Sequence, residues 1–185
     1  MADDIPVAHT PAGGYGNTFP PPVLATCTEP LVAGAPDLRG IWKTLRAERH
    51  GKPVPEGERI YHYVERIEQC GNRIVDMGGG TIADARADGT EANGVHDVSV
   101  FDYQSPLRVI ASYEDGVFVL RPLLIPYLDV TIPGIKVTRR LDADGNMEWI
   151  RPDLGGLKVT LERIGGPTDP YTRHDLPDST TGGRE

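Results

Sequence analysis

The sequence predicts an all-β fold, an antiparallel up-and-down β-barrel of eight to ten strands preceded by an extended Pro-rich arm. Three observations lead there. Turn dipeptides recur along the middle of the chain at Gly71-Asn72, Asp88-Gly89, Asn93-Gly94, Asp115-Gly116, Asp144-Gly145 and Gly155-Gly156. Asp-Gly and Asn-Gly supply the positive-φ positions that tight hairpins need. Between the turns lie short runs that alternate apolar and polar residues, the period of a half-buried strand. Finally, a Trp opens the folded body within Gly40-Ile41-Trp42, and an Arg closes it at Arg163.

Residues 1–36 carry Pro20-Pro21-Pro22 together with Gly13-Gly14 and Gly16, and show neither helical nor strand periodicity. Proline removes donors and restricts its neighbour, so this arm is extended or polyproline-like. Tyr15, Phe19, Val23 and Leu24 are apolar enough to lie on a surface. Two readings stay open: a disordered arm, or a strap over the barrel wall or mouth or onto a second subunit, which would make a homodimer through the arm.

The body spans 37–164, with strands expected at 39–47, 59–69, 73–77, 80–86, 95–102, 107–113, 116–122, 135–141, 147–151 and 156–164. Leu107, Val109, Ala111 and Tyr113 share one strand face, and Leu157, Val159, Leu161 and Arg163 share another. No segment carries a helical stripe longer than two turns. A meander of many short antiparallel strands hides its edges best by closing on itself. Residues 165–185 are polar and turn-rich and read as a flexible tail.

The last strand's parity places Arg163 on the aliphatic face, pointing inward near the barrel's end. A buried guanidinium without a partner costs several kcal/mol. If closure brings the first and last strands together, Trp42 can receive it by cation–π stacking, with Gly40 beside the pair. Gly40, Trp42 and Arg163 are thus structural closure residues.

Composition narrows the function. Gly (22) and Pro (17) make up a fifth of the 185 residues, an excess that belongs to turns and tails. A net charge of −8 argues against a nucleic-acid partner and against docking on anionic lipid. No apolar run approaches the ~20 residues needed to span a bilayer. The start, Met-Ala-Asp-Asp-Ile-Pro, has neither the basic nor the apolar region of a signal peptide, so a cytoplasmic location is expected. On that footing Cys27 and Cys70 are expected to be reduced thiols, and two cysteines fall short of a zinc or redox motif.

The run Asp37-Leu38-Arg39-Gly40-Ile41-Trp42-Lys43 resembles the Gly-x-Trp opening of the calycin superfamily, which holds lipocalins and intracellular fatty-acid-binding proteins. Val159-Thr160-Leu161-Glu162-Arg163 is similar to their closing strand, whose basic residue covers that Trp. The resemblance implies a lipocalin-like barrel of eight or ten strands around a cavity for a hydrophobic molecule, used by some members for catalysis. Residues 48–58 hold two prolines and two glycines and leave room for a loop in place of the helical lid of fatty-acid-binding proteins. The Arg-x-Tyr pair those proteins use on carboxylates is missing, because Ile164 and Gly165 follow Arg163.

Four polar residues fall in phase with apolar neighbours and are the candidate ligand-binding set: His62, Tyr113, Arg121 and Arg139. Oriented polar groups in an apolar pocket set specificity, and two arginines can clamp a carboxylate or enolate. The expected function is binding of a small hydrophobic or amphipathic molecule inside the barrel. The alternative is an isomerase, cyclase or lyase that needs no metal or cofactor, with His62, Tyr113 and the arginines in acid–base and oxyanion roles. A third reading is a structural or oligomerising module whose barrel is filled by side chains. His50, His62, His96 and His174 lack paired ligand spacing, so no metal is expected. Asp142-Ala143-Asp144-Gly145-Asn146 has Gly in the wrong place for a calcium loop. Gly78-Gly79-Gly80 is followed by neither helix nor Lys and is read as a bend.

Overall fold

The computed structural model of the chain describes residues 1–124 and 135–172. Ten antiparallel strands form a nearly closed barrel. In chain order they are β1 (Gly40–Arg49), β3 (Val64–Cys70), β4 (Arg73–Gly78), β5 (Thr81–Arg86), β6 (Val95–Val98), β7 (Pro106–Glu114), β8 (Val117–Leu124), β9 (Val137–Leu141), β10 (Met147–Arg151) and β11 (Leu157–Gly165). A two-residue strand, β2 (Lys52–Pro53), folds back on β1 outside the ring.

The hydrogen-bonded order β5-β4-β3-β1-β11-β10-β9-β8-β7-β6 is a meander joined through β1 and β11. Its two free ends, β5 and β6, meet at a seam. Arg86 N–H donates to the Asn93 carbonyl (2.8 Å) and Gly89 N–H to the Ala111 carbonyl (2.9 Å). Asp88 also bridges to Ser112.

At the β1–β11 join, Trp42 pairs with Arg163 across the strands. The Arg163 guanidinium lies 4.7 Å from the Trp42 ring centroid and donates to the Asp37 carbonyl (3.0 Å). Trp42 is fully buried and its Nε1 donates to the Leu38 carbonyl (2.7 Å). Gly40 makes room for this stack: its φ is 150°, and a Cβ there would come within 3.0 Å of both Arg163 Cγ and the Gly165 carbonyl. One expectation needs correction. Arg163 is exposed, not buried, although it stands directly across from Trp42 in the ladder. It covers the tryptophan ring and keeps one side in water, so its burial cost never arises.

The expected strand 59–69 begins only at Val64. Arg59–His62 forms a 3₁₀ turn instead, in which Ile60 and Tyr61 pack on the interior core and the Tyr61 hydroxyl donates to the Val54 carbonyl (3.0 Å). Along β3 both faces are buried, which erases the usual alternation. Ile67 belongs to the interior core, whereas Val64 and Cys70 belong to a second apolar layer outside the barrel. The expected strand 95–102 stops at Val98, where Ser99 N–H closes a loop by donating to the Ser105 carbonyl (2.8 Å).

The second layer is made by the N-terminal arm, which straps the outer wall of β3, β4 and β5 of its own barrel. Ala2, Phe19 and Leu24 bury against Val64, Val75, Met77 and Ile82. Proline removes arm donors, and wall side chains meet several of the arm's remaining polar groups. Arg73, fully buried, donates to the carbonyls of Ala2 (2.7 Å), Ile5 (2.6 Å) and Pro6 (2.8 Å) and is paired with Asp84 (2.7 Å). Carboxylates take the arm's N–H groups: Asp84 from Ala8 (2.8 Å), Asp97 from Thr10 (3.0 Å) and Glu68 from Leu24 (2.7 Å). Arg66 reaches the Pro20 carbonyl and stacks on Phe19, 5.1 Å from the ring centroid. The apolar residues considered for a disordered arm or a second subunit therefore cover this chain's own wall. Tyr171 joins them by packing on Phe19 at 6.0 Å. The rest of the expected tail, from 173, lies outside the described residues.

Cys27 and Cys70 form a disulfide that pins the arm to the end of β3. This corrects the expectation of two reduced thiols, which followed from an assumed reducing compartment and not from geometry. Glu29 stands beside the bridge, where its Oε1 accepts from Ala2 N–H (3.0 Å). Among the described residues no helix is long and apolar enough to cross a membrane.

Candidate ligand cavity inside the barrel

A cavity of about 190 Å³ lies inside the barrel, at the end that carries the β4–β5 turn and the β6–β7 loop. Leu107, Val109, Leu120 and Val137 supply its apolar wall. Alternation on β7, β8 and β9 turns these side chains inward.

The opposite wall is polar and charged. Arg139, on β9, is buried and spans two acids: Nε to Glu65 Oε1 (3.2 Å), and Nη2 to Glu65 Oε2 (2.9 Å) and to Asp76 Oδ2 (2.7 Å). Tyr63 donates its hydroxyl to Glu65 Oε2 (2.8 Å) and stacks on Trp149, with ring centroids 4.9 Å apart. Gly78 permits this, since a Cβ there would fall 2.2 Å from the Tyr63 hydroxyl. Arg139 and Arg151 also approach the Trp149 ring, at 5.1 and 5.4 Å from its centroid. Arg151 is held by Asp153 through bonds of 3.0 and 2.6 Å.

The cluster thus sets three carboxyl groups (Glu65, Asp76, Asp153) against two guanidiniums in a low-dielectric interior. A buried excess charge is expensive, and the group neutralises instead. Asp76 is where this falls. Burial pushes its pKa up to about 8; the Arg139 charge opposes that, and the neighbouring Glu65 carboxyl reinforces it. Asp76 therefore holds a proton at neutral pH. Burial, with the nearby Glu65 and Asp76 acids, also raises the Tyr63 pKa, so its hydroxyl stays a donor. Despite the density of partners, the buried indole Nε1 of Trp149 has none, whereas the protonated Asp76 carboxyl shares a hydrogen bond with Glu65.

Of the four residues singled out in the sequence, Arg139 lines the cavity. Tyr113 is half-buried on β7, packs on Phe118 at 5.7 Å and accepts from Gln69 Nε2 (2.9 Å), away from the cavity lining. Arg121 binds Glu114 and the Ser112 hydroxyl (2.8 Å) beside the seam. His62 sits in the 3₁₀ turn before β3. The pair of arginines expected to clamp a carboxylate is thus split, and each is already engaged with acidic side chains.

Sequence reasoning missed Tyr63, Glu65, Asp76, Trp149, Arg151 and Asp153. A signal for two of them was available: Ile74 and Asp76 alternate with Val75 and Met77, so Asp76 shares a face with a core residue. Trp149 shares its strand face with Met147 in the same way. Assigning the β4 face to the interior requires knowing that the arm covers the other.

No protein-family model matches the sequence, and no curated protein is significantly similar to it. What the fold defines is an antiparallel, nearly closed β-barrel, an architecture compatible with the calycin-like one.

Proposed function

We propose that this protein is a calycin-like barrel that binds a small hydrophobic or amphipathic molecule in its interior. The observation that carries this reading is the cavity, apolar on one wall and backed on the other by a charged cluster in which Trp149 Nε1 is buried without a partner. Buried polar groups are normally satisfied, and an exception invites a missing partner. A cavity of ~150 Å³ accommodates benzene. The 190 Å³ available here suits a single ring with one or two substituents and is too small for a long acyl chain. The Cys27–Cys70 bridge supports an oxidising compartment over the cytoplasm, because disulfides persist there.

A second reading, catalysis without metal or cofactor, draws support from one feature. A protonated Asp76 next to the Glu65 carboxyl is the kind of divided acid pair that proton-transfer enzymes use. An isomerase or lyase would employ Asp76 and Tyr63 as donors toward the cavity, in place of the His62 and Tyr113 considered from sequence.

The deciding experiment is native mass spectrometry of protein purified gently from its own host, alongside Val109→Trp, which fills the cavity. A retained molecule on the wild type, absent from the folded variant, is the expected result. Equal retention by both would place the ligand elsewhere and refute the reading.

A further inference from the structure

We infer that the cavity takes a small neutral molecule bearing a hydrogen-bond-accepting oxygen, such as a ketone, ester or alcohol, and that this oxygen accepts from Trp149 Nε1–H. The inference rests on the ligand-binding reading above and adds the chemical class of the ligand.

The indole nitrogen can only donate. Trp149 lines the cavity with 6% of its surface exposed, and its Nε1 has no partner among the described residues. A ligand that reaches this nitrogen must therefore present an acceptor. Trp42, the chain's other tryptophan, shows the contrast, because its Nε1 is satisfied by the Leu38 carbonyl at 2.7 Å.

Charge decides which acceptor. An anionic ligand needs an uncommitted cation, yet Arg139 is shared between Glu65 and Asp76, and Arg151 is held by Asp153. A carboxylate would add negative charge to a cluster that already has more acids than arginines. An ammonium fares no better. The aromatic surface that would receive it is flanked by both guanidiniums at 5.1 and 5.4 Å and by Tyr63 at 4.9 Å, so like charges oppose it. With one proton on Asp76 the cluster is neutral, and a neutral ligand disturbs none of its pairs.

Four ring probes of nearly equal size separate the possibilities: cyclohexanone, methylenecyclohexane, cyclohexanecarboxylate and cyclohexylammonium. Dissociation constants come from NMR titration of the wild type and Trp149→Phe. Cyclohexanone is expected to bind roughly tenfold tighter than methylenecyclohexane, the worth of one buried hydrogen bond. The variant erases that gap while still binding the alkene, and both charged probes bind weaker than either neutral one. The two indole N–H resonances give a reading that needs no variant. Cyclohexanone moves the Trp149 signal and leaves that of Trp42 in place. Equal affinity for ketone and alkene, tightest binding of a charged probe, or ketone binding that leaves the Trp149 resonance unmoved would overturn the inference while leaving the binding reading intact. Failure of all four probes to bind would overturn both.

Discussion

Replacing Asp76 with asparagine tests the charge arrangement that gives the cavity its character. The folded protein holds a proton on Asp76 up to about pH 8, whereas the unfolded chain releases it near the ordinary value of 3.8. Between those limits the folded state binds more protons than the unfolded one. Stability therefore falls as pH rises, by up to about 1.4 kcal/mol per pH unit from this one group. The contribution is fully present below pH 3.8 and is lost by the time pH passes 8. The whole span amounts to about 6 kcal/mol as a ceiling, since solvent and structural relaxation reduce it. The amide introduced by Asp76→Asn keeps the shape and an acceptor for Arg139 but cannot ionise. Urea unfolding of both proteins, followed by tryptophan fluorescence at intervals from pH 5 to 8, isolates the effect of Asp76 and of Glu65, which titrates with it, because groups that do not interact with them cancel in the difference. From pH 5 to 7 the variant should gain about 2–3 kcal/mol relative to wild type, a shift of roughly one molar or more in urea midpoint. A difference that stays constant with pH, or that runs the other way, refutes the assignment of the proton to Asp76.

The arm and the closure give the remaining expectations. Cys27→Ser with Cys70→Ser opens a cross-link between residues 43 apart, worth about 4 kcal/mol by loop-closure entropy; limited proteolysis should then cut first in the arm, with barrel amides still protected from exchange. Arg73→Ala strands Asp84 and three arm carbonyls in a buried site and should cost about 3–5 kcal/mol in urea unfolding. Arg163→Ala, at an exposed stack, should cost only about 0.5–1 kcal/mol, while Trp42→Ala removes a fully buried ring and should cost about 3–5 kcal/mol. Equal losses for those last two would contradict the capping geometry.

The barrel was legible because its determinants are local. Asn-Gly and Asp-Gly turns, alternation on β7 and β11, and the Trp42 and Arg163 termini each act over a few residues or through the closure they imply. The site was less legible because it depends on which strand face is covered by what. His62 lies between Ile60 and Val64 in sequence, yet Ile60 packs on the interior core and Val64 faces the arm, because the 3₁₀ turn over Arg59–His62 breaks the strand phase. On β3 and β4 both faces carry apolar residues, one set for the barrel and one for the strap, and no period separates them. The disulfide is illegible for a related reason: compartment does not fix the state of the two cysteines, whereas the ordered arm brings Cys27 to Cys70. Arg139 is legible because it alternates with Val137 and Leu141, and β9 buries Val137 and Arg139 while leaving Arg140 exposed, which keeps simple parity valid there.

A hollow interior is the claim on which the functional account stands, and xenon reports hollow apolar space directly. Crystals of the protein under xenon pressure should show an ordered xenon atom inside the barrel, against Leu107, Val109, Leu120 and Val137, and lose it in Val109→Trp. A barrel whose interior is filled by its own side chains, with xenon only on the outer surface, would contradict the account.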